Sequence, residues 1–464
     1  MAEAQIRRAE FESALVSLTS ARALGEDGAL VWRSIDVAFW RLGRWTASAA
    51  ALRAALARDP QMSSSWHTLG HVLRFSGQPE DARDALFRAV ELGERAAISE
   101  SIESLLELGD LDGATARLTA LGVDCDDATR DWLAARHAFL AGDLVAGWAP
   151  YEARFQPAPG LNQAGTEAIA VQAPRWRGED LVGRRIALLA EQGYGDVIQF
   201  ARFAKPLAAR GARVHFVLSQ RLRTLGPLLT GVDGVDVVEV APDTSAVDFH
   251  VPLLSLPYHF GRRLETIPAE RYLRLSTDDA AGGVKLPTAH ALPAPASPSG
   301  AINVGLVWAG SPDHPDDVRR SASLEAMLGL ASDPRVRLFS LQVGPRANDL
   351  RGYQALVTDL GGRIGDWRDT ASIVSTLDLV VSVDTSIAHL AGALGRPTWA
   401  ALAYAPDWRW MLQREDSPWY PTMRLFRQPA PGAWDAVFAE MRSQLESSLR
   451  RGVPFDASAE IANV

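Results

Sequence analysis

A spacing of 34 residues governs the first third of this 464-residue chain: Trp32 and Trp66 lie 34 apart, as do Leu52 and Leu86, and Ala55 and Ala89. A fixed period of this size restricts the fold more than any single motif. Each unit is too short to bury its own apolar face, so neighbouring units must stack. The intervening residues are rich in Ala, Leu, Arg and Glu, which favour helix. The period therefore predicts stacked helix pairs over residues 1–155, with most of these tryptophans and alanines in the core. A generic helical bundle is the alternative, and it gives no reason for the period.

Within that stretch, Trp66-His67-Thr68-Leu69-Gly70, followed by Ala82 and Ala89, resembles the tetratricopeptide pattern. Ala14, Leu18 and Ala21 repeat it one period upstream. Looser copies begin near Leu105, with Ala114 and Leu118, and at Trp132, ending at Tyr151–Phe155. Residues 156–182 contain Pro157, Pro159, Gly160, Pro174 and Gly178 with little periodicity and read as a linker. Strand and helix patterns then alternate. Ile186–Ala190, Val214–Leu218 and Val235–Val240 are strand candidates, and Val197–Ala209 has helical spacing, the order of a βαβ sheet over residues 183–275.

A second break at 276–301 holds Pro287, Pro293, Pro295 and Pro298. Alternation resumes over 302–430, with strand candidates at Ile302–Trp308, Leu338–Gln342 and Leu379–Val383, and residues 431–464 read as a C-terminal helix and tail. The fold class is thus α plus α/β: a TPR-like solenoid followed by two Rossmann-like lobes, with ligands expected at the carboxyl ends of the strands.

Composition narrows the functions. The formal net charge of -9 argues against a general nucleic-acid binder. Cys125 is the single cysteine, so no intrachain disulfide can form, which fits a reducing compartment. No signal-peptide core and no apolar run near the roughly 20 residues of a membrane span are visible. A cytoplasmic location is expected. Asp110-Leu111-Asp112 and Asp124-Cys125-Asp126 are Asp-x-Asp sequences, but both fall in the helical region, and no paired-Cys or His-Glu-x-x-His motif occurs. No metal or cofactor is expected.

Three loops could carry chemistry. Glu191-Gln192-Gly193-Tyr194-Gly195-Asp196 follows a strand and opens a helix. Without a third glycine its dinucleotide signal is weak, and a carboxylate beside a phosphate would be repelled. Asp196 either faces an acceptor hydroxyl or caps its helix. The second loop, Trp308-Ala309-Gly310-Ser311 through Arg319-Arg320-Ser321, ends in two arginines. Arg320 could neutralise a departing diphosphate, or the arginines could pair with Asp316 and Asp317. The third is Asp384-Thr385-Ser386 after the strand Leu379–Val383. Its hydroxyls and helix N-terminus suit phosphate, Asp384 could hold a ribose or sugar hydroxyl, and His389 lies one turn on, in a structural or a functional role. The aromatic run Asp407-Trp408-Arg409-Trp410 with Trp419-Tyr420 either stacks on a ligand or closes the lobes.

Together the blocks Glu191–Asp196, Val307–Gly310, Ser382–Ser386 with His389–Gly392, and Asp407–Trp410 through Phe426-Arg427-Gln428-Pro429 resemble a bacterial family that fuses tetratricopeptide repeats to a glycosyltransferase lobe pair related to lipopolysaccharide heptosyltransferases. The match runs from about Trp132 to Gln428. The resemblance implies a GT-B fold and metal-independent inverting transfer from a nucleotide sugar. By it Asp196 is the general base; Trp308, Gly310, Arg320, Ser321, Asp384, Thr385, Ser386 and His389 face the donor; Gln192, Gly193 and Gly195 form the acceptor loop. Flagellin glycosyltransferases share the layout, so a protein acceptor bound through the repeat arm is conceivable. The sequence departs from the pattern at Ser311 and Asp316, where Asn is frequent, and at Val343, where lysine is common. A non-catalytic scaffold with a degenerate transferase domain is the competing reading. A nicotinamide oxidoreductase is disfavoured, because no ribose-binding acid falls near Arg213–Gln220.

Overall fold

The computed structural model describes residues 2–120, 126–156, 171–240, 247–275, 300–312, 314, 316–453 and 455. Cys125, most of the expected first linker (157–170) and the proline-rich stretch 276–299 lie outside them, as do Asp313 and Pro315. The chain forms two compact units. One comprises 1–141 with 156–161, and the other 142–155 with 162–464.

The first unit is a run of antiparallel helix pairs, including Ala29–Arg41 with Trp45–Arg58 and Ser63–Phe75 with Pro79–Glu91. The period has two physical roots. Gly43 and Gly77, 34 residues apart, take φ of 69° and 72° between the helices of a pair. Each lets the next N–H turn back, Arg44 to Phe39 O at 2.9 Å and Gln78 to Leu73 O at 3.0 Å, closing the helix end. Gly70 sits where two helices cross. A Cβ there would stand 2.5 Å from Leu86 Cγ, so only glycine permits the approach. Leu52, Leu69, Val72, Leu73 and Ala82 fill the core between pairs.

The expected arm reaches residue 155, but the structure ends its first unit earlier. The helix Leu144–Tyr151 and the turn Glu152–Phe155 belong to the α/β unit. Trp148 and Tyr151 are 1% exposed there, with the Trp148 ring edge-on to Phe200 and Trp408.

In the second unit, β1 (Arg185–Leu189), β2 (Arg213–Leu218), β3 (Val237–Val240) and β4 (Phe249–Pro252) form a parallel sheet of order β3-β2-β1-β4. The expected helix 197–209 is broken into Tyr194–Phe200, a 3₁₀ turn and Ala204–Ala209. Part of the expected linker packs on this lobe: Trp176 is buried and stacks on Phe260. The second sheet comprises β5 (Ile302–Val307), β6 (Val336–Ser340), β7 (Val357–Asp359), β8 (Leu379–Val383), β9 (Thr398–Leu402) and β10 (Met423–Arg427), in parallel order β10-β9-β8-β5-β6-β7. The long helix Trp434–Arg451 covers one face, with Val437, Phe438, Met441 and Leu445 packing in the cluster of Val304, Trp308 and Phe426. The architecture is an array of helix pairs and two Rossmann-like lobes.

Each sheet has one point where the strand order reverses. In the first lobe it lies between β1 and β4, and in the second between β5 and β8. Ligands of open α/β sheets bind outside the carboxyl ends of the strands at such points.

Candidate active site

The two switch points are furnished differently. In the first lobe, the crevice between β1 and β4 is filled by protein. Glu191, 4% exposed, takes both Arg154 Nε and Nη2 at 3.0 Å and accepts from Leu254 N at 2.8 Å. Arg154 also donates to Ser255 Oγ at 2.7 Å. Burial alone would lower the pKa of Arg154, but the Glu191 and Glu152 carboxylates more than reverse this.

The glycine loop after β1 is held in the same way. Gln192 adopts φ +61° without being glycine, and its amide donates to Tyr151 Oη at 3.0 Å. Its carbonyl accepts from Arg221. Gly193 caps the helix Tyr194–Phe200, and Asp196 Oδ2 accepts its N–H at 2.7 Å. Gly195 allows close approach, but to the other lobe rather than to a phosphate. A Cβ there would lie 2.8 Å from His389 Cδ2 and 3.5 Å from Ser386 Cα. Asp196 Oδ1 accepts from Arg409, whose Nη1 reaches Asp407 Oδ1 at 2.8 Å and whose Nε reaches Gln199 Oε1 at 2.8 Å. Burial disfavours the charge on Arg409, while Asp407 and Asp196 hold its pKa above the ordinary value.

At the second-lobe switch point, the polar groups are underused. Arg320 pairs with Asp317 at 3.7 Å, and among the described residues its buried Nε makes no hydrogen bond. The guanidinium lies over Gly310, where a Cβ would stand 2.7 Å from Nη2. Thr385 caps the helix Ser386–Ala393, accepting from Ile387 N at 3.3 Å, and Ser386 opens it with a hydroxyl that no described protein group bonds. Trp410, fully buried, directs an unpartnered indole N–H toward Asp384. Asp384 is partly buried, and burial followed by the nearby Asp407 charge pushes its carboxyl up to about 6.

His389 is 5% exposed, stacks on Trp410 with centroids 5.2 Å apart, and shares a 2.9 Å hydrogen bond between Nδ1 and Tyr420 Oη. Burial, then Arg409, Arg202 and Arg320, lower its pKa well below that of a free imidazole.

Two residues expected to face the donor spend their side-chain polar groups within the protein. Trp308 is 0% exposed and its indole donates to Asp349 at 3.0 Å, so its side chain is core. Ser321 is spent on the protein, accepting from Gly310 N at 3.0 Å and donating to Asp317 at 2.8 Å. These bonds shape the loop. The pairing of Arg319 with Asp316 and the capping by Asp196 both occur. The aromatic run closes the lobes: Trp408 meets Trp148, and Trp419 meets Phe200. The links of Arg409 to Gln199 and Asp196 and of Arg154 to Glu191 were invisible in the sequence, because they span 210, 213 and 37 positions. Among the described residues, no group of three or more His, Cys, Asp or Glu is placed to hold a metal ion, and no helix is long and apolar enough to cross a membrane.

No family model matches the sequence. Protein FlbA of Caulobacter vibrioides is 26% identical over 449 residues, which span 89% of this chain and 72% of FlbA. Among solved structures, a glycosyl transferase family 9 protein from Veillonella parvula aligns with TM-score 0.44 at 11% identity, over 59% of this chain and 99% of its own. The ADP-heptose LPS heptosyltransferase II of E. coli aligns with TM-score 0.41 at 13% identity, over 57% and 99%. An O-GlcNAc transferase mutant from Thermobaculum terrenum aligns with TM-score 0.33 at 15% identity, over 97% of this chain and 93% of that one.

Proposed function

We propose that the protein is a glycosyltransferase that moves a sugar from a nucleotide-sugar donor to an acceptor by inverting transfer without a resident metal. The observation that carries this reading is the contrast between the two switch points. The first is plugged by the Arg154–Glu191 pair. The second presents Arg320, the Ser386 hydroxyl and a helix N-terminus with hydrogen-bonding capacity to spare. The buried Nε of Arg320 is an unsatisfied donor, and such a group is costly unless a ligand supplies an acceptor.

Donor diphosphate would lie on the Thr385–Ser386 turn, where helix N–H groups and Arg320 stabilise the leaving charge. The loop Gln192–Gly195 faces this turn from the other lobe and would border the acceptor. Asp196 is our assignment for the group that takes the acceptor proton. Each of its oxygens accepts one hydrogen bond, from Gly193 N and from Arg409, and each keeps a further lone pair for the acceptor proton. The helical repeats would hold a protein acceptor, and the single cysteine suits a cytoplasmic setting.

Arg320→Gln removes the charge while keeping a hydrogen-bond donor. Nucleotide affinity should fall roughly 10- to 100-fold, the weight of one charge-assisted contact. Thr385→Val is a poorer probe, since it also removes a helix cap. A thermal-shift and calorimetric panel of nucleoside diphosphates reads both. Unchanged affinity in Arg320→Gln would reject this donor site, and a complete lack of nucleotide binding or sugar transfer would favour the scaffold reading.

A further inference from the structure

Left-handed backbone crowds the Cβ of any residue but glycine, and it persists only where the surroundings over-determine it. Among the described residues, three other than glycine adopt it: Ala9, Gln192 and Met411. Gln192 does so at φ +61°, between the end of β1 at Leu189 and the helix Tyr194–Phe200. The turn carries the chain off the sheet and brings the next N–H, that of Gly193, to Asp196 Oδ2 at 2.7 Å. The conformation of Gln192 therefore sets where Gly193, Gly195 and Asp196 stand.

Two hydrogen bonds hold Gln192 itself. Its carbonyl accepts from Arg221, and its side-chain amide donates to Tyr151 Oη at 3.0 Å. Arg221 is exposed, so water competes for that bond. Tyr151 is fully buried, with its ring centroid 5.9 Å from those of Trp148 and Trp408, and cannot follow Gln192 if the turn relaxes. Arg154, on the turn after the same helix, grips Glu191 through Nε and Nη2 at 3.0 Å each. The end of the helix Leu144–Tyr151 and the turn that follows it thus fasten two successive residues of the loop.

We propose that Tyr151 is a positioning residue of the acceptor loop: through the Gln192 side chain, its hydroxyl holds the left-handed turn that presents Gly195 and Asp196 to the other lobe. This deepens the reading of Gln192–Gly195 as the acceptor side and rests on it. Tyr151 acts through Gln192 and not on the substrate. Its loss therefore loosens the loop without touching the donor turn at Thr385–Ser386. The steric demand lies at one residue, so the role can be separated from packing: glycine at 192 needs no hydroxyl to hold φ +61°.

The test is amide hydrogen exchange of the full chain, read over residues 190–196 with the β1 residues as control, beside calorimetric titration with ADP, GDP and UDP. Tyr151→Phe keeps the ring and removes only the hydroxyl. Loop exchange should rise about 3- to 10-fold, the weight of one neutral hydrogen bond, with β1 exchange and nucleotide affinity unchanged. Gln192→Ala loses the same bond and keeps the steric demand, so it should loosen the loop at least as much. Gln192→Gly loses the bond but not the turn, and should exchange more slowly than Gln192→Ala. Adding Tyr151→Phe to Gln192→Gly should change nothing further. Unchanged loop exchange in Tyr151→Phe overturns the proposal. So does an effect of Tyr151→Phe that is as large with Gln192→Gly as without it, since the hydroxyl would then act by general packing. Either result, with nucleotide affinity kept, leaves the donor site standing. Absence of binding by all three nucleotides to wild type overturns the donor site, and with it the acceptor role that the proposal serves.

Discussion

Asp196 joins two jobs in one side chain: Oδ2 ties down the Gly193 N–H, and Oδ1 holds Arg409 of the other lobe. Asp196→Asn separates these jobs from proton transfer. Its amide oxygen can still accept from one donor, and Asn caps about as well as Asp. The loss of a charged partner should lower unfolding stability by about 2 kcal/mol, since hydrogen bonds to charged groups are worth about 1.5–3 kcal/mol. If Asp196 is also the base, turnover should fall about 10²–10⁴-fold with donor affinity nearly unchanged. Turnover kinetics with saturating acceptor, together with denaturant melts, give both quantities. A stability loss with full turnover would leave Asp196 as a cap and latch only. At this scale the sequence was half legible. The Asp384-Thr385-Ser386 turn could be read from its strand and helix context. Arg409, whose partners Gln199 and Asp196 lie 210 and 213 positions away, could not, because no local pattern encodes such a pairing.

Glycines carry the tightest constraints among the elements. The helices Tyr194–Phe200 and Ser386–Ala393 meet at Gly195, and a methyl group there would sit 2.8 Å from His389 Cδ2. His389 cannot retreat easily, being stacked on Trp410 and bonded to Tyr420. Gly195→Ala should therefore separate the helix N-termini and cost about 1–3 kcal/mol by overpacking. Sugar transfer should fall with it, because a small displacement of reacting groups is enough to lose rate. Far-ultraviolet circular dichroism should stay unchanged while the melting midpoint drops. A variant of wild-type stability and rate would show that the helices have room to part. In the sequence this glycine stands in a strand, Gly-x-Gly, helix run with a weak dinucleotide signal, and the resemblance assigns it to the acceptor loop. What distinguishes it is the neighbour across the lobes, visible only once the chain is folded. The helix pairs of the first unit, by contrast, were legible because Gly70 and Leu86 act within one repeat. Strands β4, β7, β9 and β10 were not individually singled out. They are 3–5 residues long, and β9 is buried throughout, so period-2 alternation cannot appear.

On the scale of the whole chain, the repeat pattern and the compact units divide at different places. The period assigns residues 142–155 to the helical arm, yet they belong to the α/β unit. The reason is burial: Trp148 and Tyr151 are 1% exposed, and Arg154, 5% exposed, neutralises the buried Glu191. This makes a truncation pair informative. A fragment starting at residue 142 keeps the aromatic packing and the ion pair. A fragment starting at 156 removes both and leaves Glu191 as an uncompensated buried carboxylate. Removing one partner of a buried pair costs about 3–5 kcal/mol, and losing a buried Trp about as much again. A domain's net stability is only about 5–15 kcal/mol, so the 156–464 fragment should be unfolded or aggregated. The 142–464 fragment should melt cooperatively and bind nucleoside diphosphate with the affinity of the full chain. Expression of both, followed by urea melts and nucleotide titration, decides the matter. Equal stability of the two fragments would mean that residues 142–155 belong with the repeats after all. A well-folded 142–464 fragment that binds no nucleotide the full chain binds would show that the repeats contribute to the donor site.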